Sequence, residues 1–250
     1  MVIRYELNPP KIVGNVNLSE KESIKLLDKI QLRVSEIETI CDGIHFTDSV
    51  LGIQRVSPVI TGALIRKSNE KIQITASLRV RDKDLNILSK LIEDTVSSKL
   101  NGVLILKGDA SQTEQKDSGL IPSKVVKYFN ELGFGKKIDL FLSLPNNPDF
   151  NKIQKKIEAE PTGFITQVIH SVKEVERISD KLKPDGFKII PCVLLPSEKN
   201  EKSAQFLNLD WSNYQDSPLE FINKIHQITD EVLITSPNDF NYAKEVLEKL

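Results

Sequence analysis

The feature that most constrains this fold is an alternation. Eight short runs rich in apolar and β-branched residues, at 2–8, 43–48, 71–80, 102–109, 138–144, 163–169, 187–195 and 231–236, are separated by stretches of helical periodicity. Strands joined by crossover helices must run parallel, and eight such units in 250 residues suit a closed barrel better than an open sheet. The expected fold class is therefore α/β: a single eight-stranded parallel (β/α)8 TIM barrel spanning residues 1–250 as one domain.

The first strand shows what closure would mean for function. Ile3, Tyr5 and Leu7 alternate with Arg4, Glu6 and Asn8, and the run stops at Pro9-Pro10. In an open antiparallel sheet the polar face would meet water. In a parallel barrel it turns inward, with Glu6 near the strand's C-terminal end, where barrel sites are built. The third strand repeats the pattern, with Gln73, Thr75, Ser77 and Arg79 opposite Ile72, Ile74, Ala76 and Leu78. Polar residues gather at strand ends: Glu6, Asn8, Thr47, Asp48, Arg79, Lys107, Asp109, Gln167 and Thr235.

Between the strands the pattern predicts helices over 19–40, opened by the capping-box pair Ser19 and Glu22, and over 56–66. Further helices are expected over 82–100 capped by Asp82, 122–132 closed by Gly133, 149–159, 171–183 capped by Ser171, 219–229 and 239–250. The polar stretch 110–119 reads as a mobile loop beside the site. Residues 203–218, with the only tryptophan, Trp211, carry no clear pattern.

Charge is balanced, 34 Lys plus Arg against 35 Asp plus Glu, so nothing marks a nucleic-acid partner. No apolar run approaches the roughly 18 residues of a membrane span, and the start lacks a basic then apolar leader. A soluble cytoplasmic chain away from membranes is expected, in which the sequon at 17–19 is chance. Cys41 and Cys192 are far apart and read as free buried thiols. His45, His170 and His226 form no zinc motif, so no metal is expected. The first two read as structural and the third as a helix-surface residue. Gly133-Phe134-Gly135-Lys136-Lys137 lies between a helix and a strand, the reverse of a phosphate loop.

Four stretches carry a resemblance. Glu6-Leu7-Asn8-Pro9-Pro10 ends the first strand, Leu106-Lys107-Gly108-Asp109 the fourth, Ile165-Thr166-Gln167 lies in the sixth and Ile189-Ile190-Pro191 opens the seventh. In order and spacing, over nearly the whole chain, these resemble the barrel catalytic domain of the methylenetetrahydrofolate reductase family. No one motif is specific alone.

The resemblance implies a flavoprotein oxidoreductase of one-carbon metabolism that reduces 5,10-methylenetetrahydrofolate, or a modified pterin, to its 5-methyl form. Glu6 would donate the proton that opens the folate's five-membered ring, which requires a raised pKa. Asp109 would tune the flavin and help hold the pterin, and Gln167 would hydrogen-bond the pterin ring. Thr47, Ser77, Lys107, Gly108, Asn147, Asp149 and Lys156 would contact the flavin. The implied partners are the folate, NAD(P)H or an electron-donor protein, and further copies of the chain in a homo-oligomer.

The chain also departs from the family. Ser77-Leu78-Arg79 stands where His-Leu-Thr is common, and Ser143 and Asn147 replace a Tyr and a His. These changes leave open FAD, FMN or no flavin, and the electron donor. They also leave two rivals: a pterin-binding or regulatory barrel without redox turnover, and a flavin-independent pterin methyl-transfer barrel. From its own residues alone, Glu6 could be an inward strand residue paired with Arg4 or Arg79, Asp109 a turn cap, Gln167 a satisfied core amide, and Lys152, Lys155 and Lys156 a solvated helix face.

Overall fold

A computed structural model describes residues 2–12, 20–110 and 117–250, with backbone alone at 20–24 and 26. The Ser19–Glu22 capping box, the sequon at 17–19 and the centre of the 110–119 loop lie outside the described residues. The eight strands are β1 (Val2–Leu7), β2 (Gly43–Phe46), β3 (Gln73–Arg79), β4 (Gly102–Leu106), β5 (Asp139–Leu144), β6 (Gly163–Val168), β7 (Lys188–Leu194) and β8 (Glu231–Thr235). Each pairs in parallel with the next, and β8 returns to β1 to close the barrel.

Helices α1 (Glu20–Ile37), α2 (Pro58–Ser68), α3 (Leu85–Ser97), α4 (Pro122–Glu131), α5 (Gln154–Ile157), α6 (Val172–Leu182), α7 (Glu201–Phe206) and α8 (Pro218–Thr229) occupy the crossovers, and α9 (Phe240–Leu247) follows β8. The core splits as the period-two pattern requires. Outward residues such as Ile3, Tyr5, Ile44, Ile74 and Ala76 join the helices in one large apolar cluster. Inward residues from β4 to β8, namely Leu104, Phe141, Ile165, Ile190, Cys192 and Leu233, form a second inside the lumen.

The lumen floor is polar. Arg4 on β1 donates to Glu231 on β8 at 2.8 Å and to Gln73 on β3 at 2.7 Å, and Lys188 on β7 meets Asp139 on β5 at 3.1 Å. These large side chains leave no room on the strands between them. A Cβ at Gly102 would sit 2.8 Å from that of Asp139 and 2.5 Å from its carbonyl oxygen.

Two expectations need correction, and one segment without a pattern acquires a structure. The α3 cap is Asp84, whose Oδ1 accepts the Ile87 N–H at 2.9 Å, while Asp82 pairs with Arg79 at 3.4 Å and Lys83 at 3.3 Å. The helix expected over 149–159 is only the short α5, because the Asp149 side chain caps a local turn by accepting the Asn151 N–H at 3.1 Å. Residues 203–218 complete α7 and then form a turn that buries Tyr214. Its hydroxyl donates to the Leu194 carbonyl at 3.0 Å and its ring stacks on Phe221 at 4.2 Å. Trp211 is half-buried against Leu194, Ala204 and Leu209. Cys41 and Cys192 are buried and unbridged. His226 is half-buried, and its Nε2 has no partner among the described residues. Among the described residues no helix is long and apolar enough to cross a membrane, and no acidic, His and Cys cluster could hold a metal ion.

Candidate active site

At the C-terminal end of the barrel a cavity of about 490 Å3 opens between the strand ends, within the usual size range of ligand pockets. One wall is polar, with Glu6, His45, Thr47, Asp48 and Ser77. The apolar part of the lining comes from Leu104, Leu106, Leu142, Ile165 and Leu233. Lys107, Gly108, Asp109, Lys156 and Gln167 also line it, from the ends of β4 and β6 and from α5.

Glu6 reaches this cavity because β1 places it inward, one step above Arg4. Its Oε1 accepts the Thr235 hydroxyl at 2.7 Å, and no cation lies within ion-pair distance among the described residues. Arg4 is engaged by Glu231 and Arg79 by Asp82, so neither neutralises it. Burial therefore pushes the Glu6 carboxyl above the usual carboxylate range, partly offset by the Thr235 hydrogen bond. The carboxyl is desolvated by the surrounding strands, yet the side chain keeps some exposure because the cavity reaches it.

Beside it on β2, His45 is 1% exposed. Its Nδ1 bonds the Thr75 hydroxyl and its Nε2 the Ser77 hydroxyl, both at 2.9 Å. Burial and the Arg4 guanidinium push it down to about 3, so the ring is neutral over the physiological range. Sequence reasoning took His45 as structural. The available signal was parity: His45 shares the inward face of β2 with Thr47.

The remaining expected residues divide. The Thr47 hydroxyl donates to Asn8 Oδ1 at 2.7 Å, fixing the first two strand ends together. Asp109 is exposed and its Oδ2 accepts the Leu51 N–H at 2.9 Å, tying the turn after β2 to the end of β4. Gly108 has a φ of 81°, and a Cβ there would meet Arg79 Cγ at 2.7 Å. Lys107 pairs with Asp117.

Lys156 donates to the Ser143 carbonyl and has no carboxylate partner among the described residues, and burial lowers its pKa. Asn147 and Asp149 do not line the cavity. Arg177 on α6 donates to Asn147 Oδ1 and, at 3.2 Å, to the Pro148 carbonyl, drawing this segment outward, and Asp149 pairs with Lys152 at 3.4 Å.

Gln167 arrives through a local irregularity. Pro191 in β7 has no N–H for the ladder, and the register between β6 and β7 shifts between Ile165 and Val168. The Thr166 hydroxyl accepts the Cys192 N–H at 3.0 Å within this shift, and Gln167 lines the cavity. Cys192 lines it too, its thiol raised well above its usual value by burial and by Glu6.

Fold and site together define a (β/α)8 barrel with an open pocket lined by ionisable residues at its C-terminal face. No protein-family model and no curated protein matches the chain. Solved structures do. The EDTA monooxygenase EmoA from Chelativorans sp. BNC1 superposes with a TM-score of 0.64 at 8% identity, covering 99% of this chain and 92% of that one. The GH18 chitinase ChiB from the chitin utilization locus of Flavobacterium johnsoniae gives 0.58 at 15% identity, covering 99% and 93%. The oxygenating constituent of 3,6-diketocamphane monooxygenase from the CAM plasmid of Pseudomonas putida, in complex with FMN, gives 0.55 at 10%, covering 96% of each. At these identities the likeness is one of fold.

Proposed function

We propose that the protein is a flavin-dependent reductase of a methylene-bearing folate or modified pterin. The observation that carries this reading is Glu6: an enclosed carboxyl with one hydroxyl partner, no cation and a raised pKa, at the C-terminal end of a barrel strand. Such a group holds a proton where a substrate nitrogen can take it. The order of the four sequence motifs supports the same reading, and the fold is shared with a monooxygenase solved with FMN.

The residues fit a flavin. The apolar lining residues Leu104, Leu106 and Ile165 on β4 and β6 suit a flat ring system, and Gly108 leaves no Cβ at the end of β4. Lys156, a half-buried cation without a carboxylate, suits a phosphate. FAD or FMN bound there would supply the hydride for the methylene carbon. The chain's own residues do the rest. Glu6 donates the proton that opens the folate ring, Gln167 offers an amide donor and acceptor to the pterin, and Asp109 holds the turn at Leu51 beside them. Electrons would come from NAD(P)H or an electron-donor protein.

The placement of Asn147 and Asp149 outside the cavity favours a second reading, a barrel that binds a pterin without redox turnover. One experiment separates the two. The visible spectrum of the purified protein is recorded with added FMN or FAD, then with methyltetrahydrofolate. Flavin bands that bleach on adding the methyl folate support the reductase. Failure to take up either flavin, with the folate still bound, supports the second reading.

A further inference from the structure

Thr235 is the last residue of β8, and its side chain turns into the lumen with 6% exposure. Its hydroxyl donates to Glu6 Oε1 at 2.7 Å; among the described residues that hydroxyl has no other acceptor and Glu6 Oε2 no donor. A carboxylic acid carries one hydrogen, and its carbonyl oxygen accepts better than its hydroxyl oxygen. We infer that Thr235 is a positioning residue: by holding Glu6 Oε1 as the carbonyl oxygen, it places the acid hydrogen on Oε2, the oxygen left for the cavity.

The groups around Glu6 leave Thr235 as the one that can choose between its oxygens. From β1, Arg4 lies a layer below and is engaged by Glu231 of β8 and Gln73 of β3. From β2, both nitrogens of His45 are taken by Thr75 and Ser77 of β3. From β7, Cys192 is a buried thiol held protonated. The lumen residues of β4 to β6 at this level, Leu104, Phe141 and Ile165, are apolar. The catalytic meaning of the assignment rests on the reductase reading: a donor on Oε2 is one that a bound pterin nitrogen can reach. The location of the hydrogen itself does not depend on that reading.

The test is infrared spectroscopy of the full chain across a pH titration, with Glu6→Gln identifying the carboxylic C=O stretch. Thr235→Val should move that stretch to higher frequency, because its carbonyl oxygen loses a donor. The same substitution should raise the pH at which the band disappears, because the lost hydrogen bond had favoured the carboxylate. Thr235→Ser should restore both. A Val variant with the wild-type frequency and midpoint overturns the inference, as does a shift that Ser fails to reverse. If Thr235→Val does not fold, Thr235→Ala carries the same expectations. Binding of methylene folate, measured on the same proteins, keeps the two ideas apart. Expected infrared shifts without folate binding would sink the reductase and leave the role of Thr235 intact.

Discussion

Glu6 and His45 are register partners on the first two strands, and burial moves their protonation in opposite directions. Glu6 rises above its usual 4.5, and His45 falls from 6.5 to about 3. For Glu6 the native state keeps a proton that the unfolded chain releases above 4.5, so its contribution to stability is lost as pH rises through its native value. For His45 the unfolded chain binds a proton that the native ring refuses, so stability is lost as pH falls from 6.5 toward 3. From 4.5 up to the native Glu6 value, and no further than 6.5, the two slopes oppose, each limited to about 1.4 kcal/mol per pH unit. Glu6→Gln should therefore make the protein more acid-sensitive in that window, and His45→Asn less so. Urea unfolding at a series of pH values reads this directly, and variant curves parallel to the wild type would contradict it.

Glu6→Gln removes the acid hydrogen but keeps the shape. On the reductase reading, flavin affinity should be unchanged while reduction of the methylene folate slows by roughly 10²–10⁴-fold, the usual worth of a general acid. Turnover at the wild-type rate would remove Glu6 from the chemistry.

The floor of the barrel gives a stability contrast. Arg4 is 2% exposed and its partner Glu231 is itself mostly buried, so Arg4→Met leaves a carboxylate unpaired and should cost about 3–5 kcal/mol. Lys188, paired with Asp139 but about half exposed, should cost under about 1 kcal/mol as Ala. Denaturant midpoints test the pair, and equal losses would contradict the view that burial sets the difference.

Gly108→Ala asks a side chain to adopt a φ of 81° and to displace Arg79, whose Cγ would be 2.7 Å away. A loss of roughly 1–3 kcal/mol is expected, with weaker ligand binding because the end of β4 must shift. Unfolding and flavin titration of the same variant provide the check, and wild-type values in both would show that this turn has slack.

Lys156→Met removes a half-buried cation that has no carboxylate partner among the described residues, and keeps its length and apolar stem. A ligand carrying a phosphate should bind about 10–100-fold more weakly, corresponding to roughly 1.5–3 kcal/mol for one charge-assisted hydrogen bond. A neutral pterin should bind as before. Equal effects on both ligands would argue that Lys156 supports the Ser143 segment instead.

Much of this molecule was legible locally. The alternation of Ile3, Tyr5 and Leu7 with Arg4 and Glu6 follows from the two-residue period of a strand, and eight such strands joined by crossovers suit a closed barrel better than an open sheet. The same parity placed Glu6, Thr47 and Ser77 at the cavity, whereas Gln167 reaches it through the shifted register between β6 and β7. Where a local turn competed with periodicity the reading failed, as after Pro148, where the Asp149 side chain caps a turn and shortens the helix, and in 203–218, where burial of Tyr214 organises a segment with no repeat of its own.

The strands themselves and the face each residue presents were therefore determined by the sequence, because both depend on neighbours a few positions away. Which groups meet was decided only by closure. Thr235 and Glu6 are 229 positions apart and touch because β8 returns to β1. His45 becomes a neutral ring between two hydroxyls only once β2 and β3 stand side by side over Arg4. Desolvation and hydrogen-bond partners are properties of the assembled lumen, so the protonation of the site appears only there.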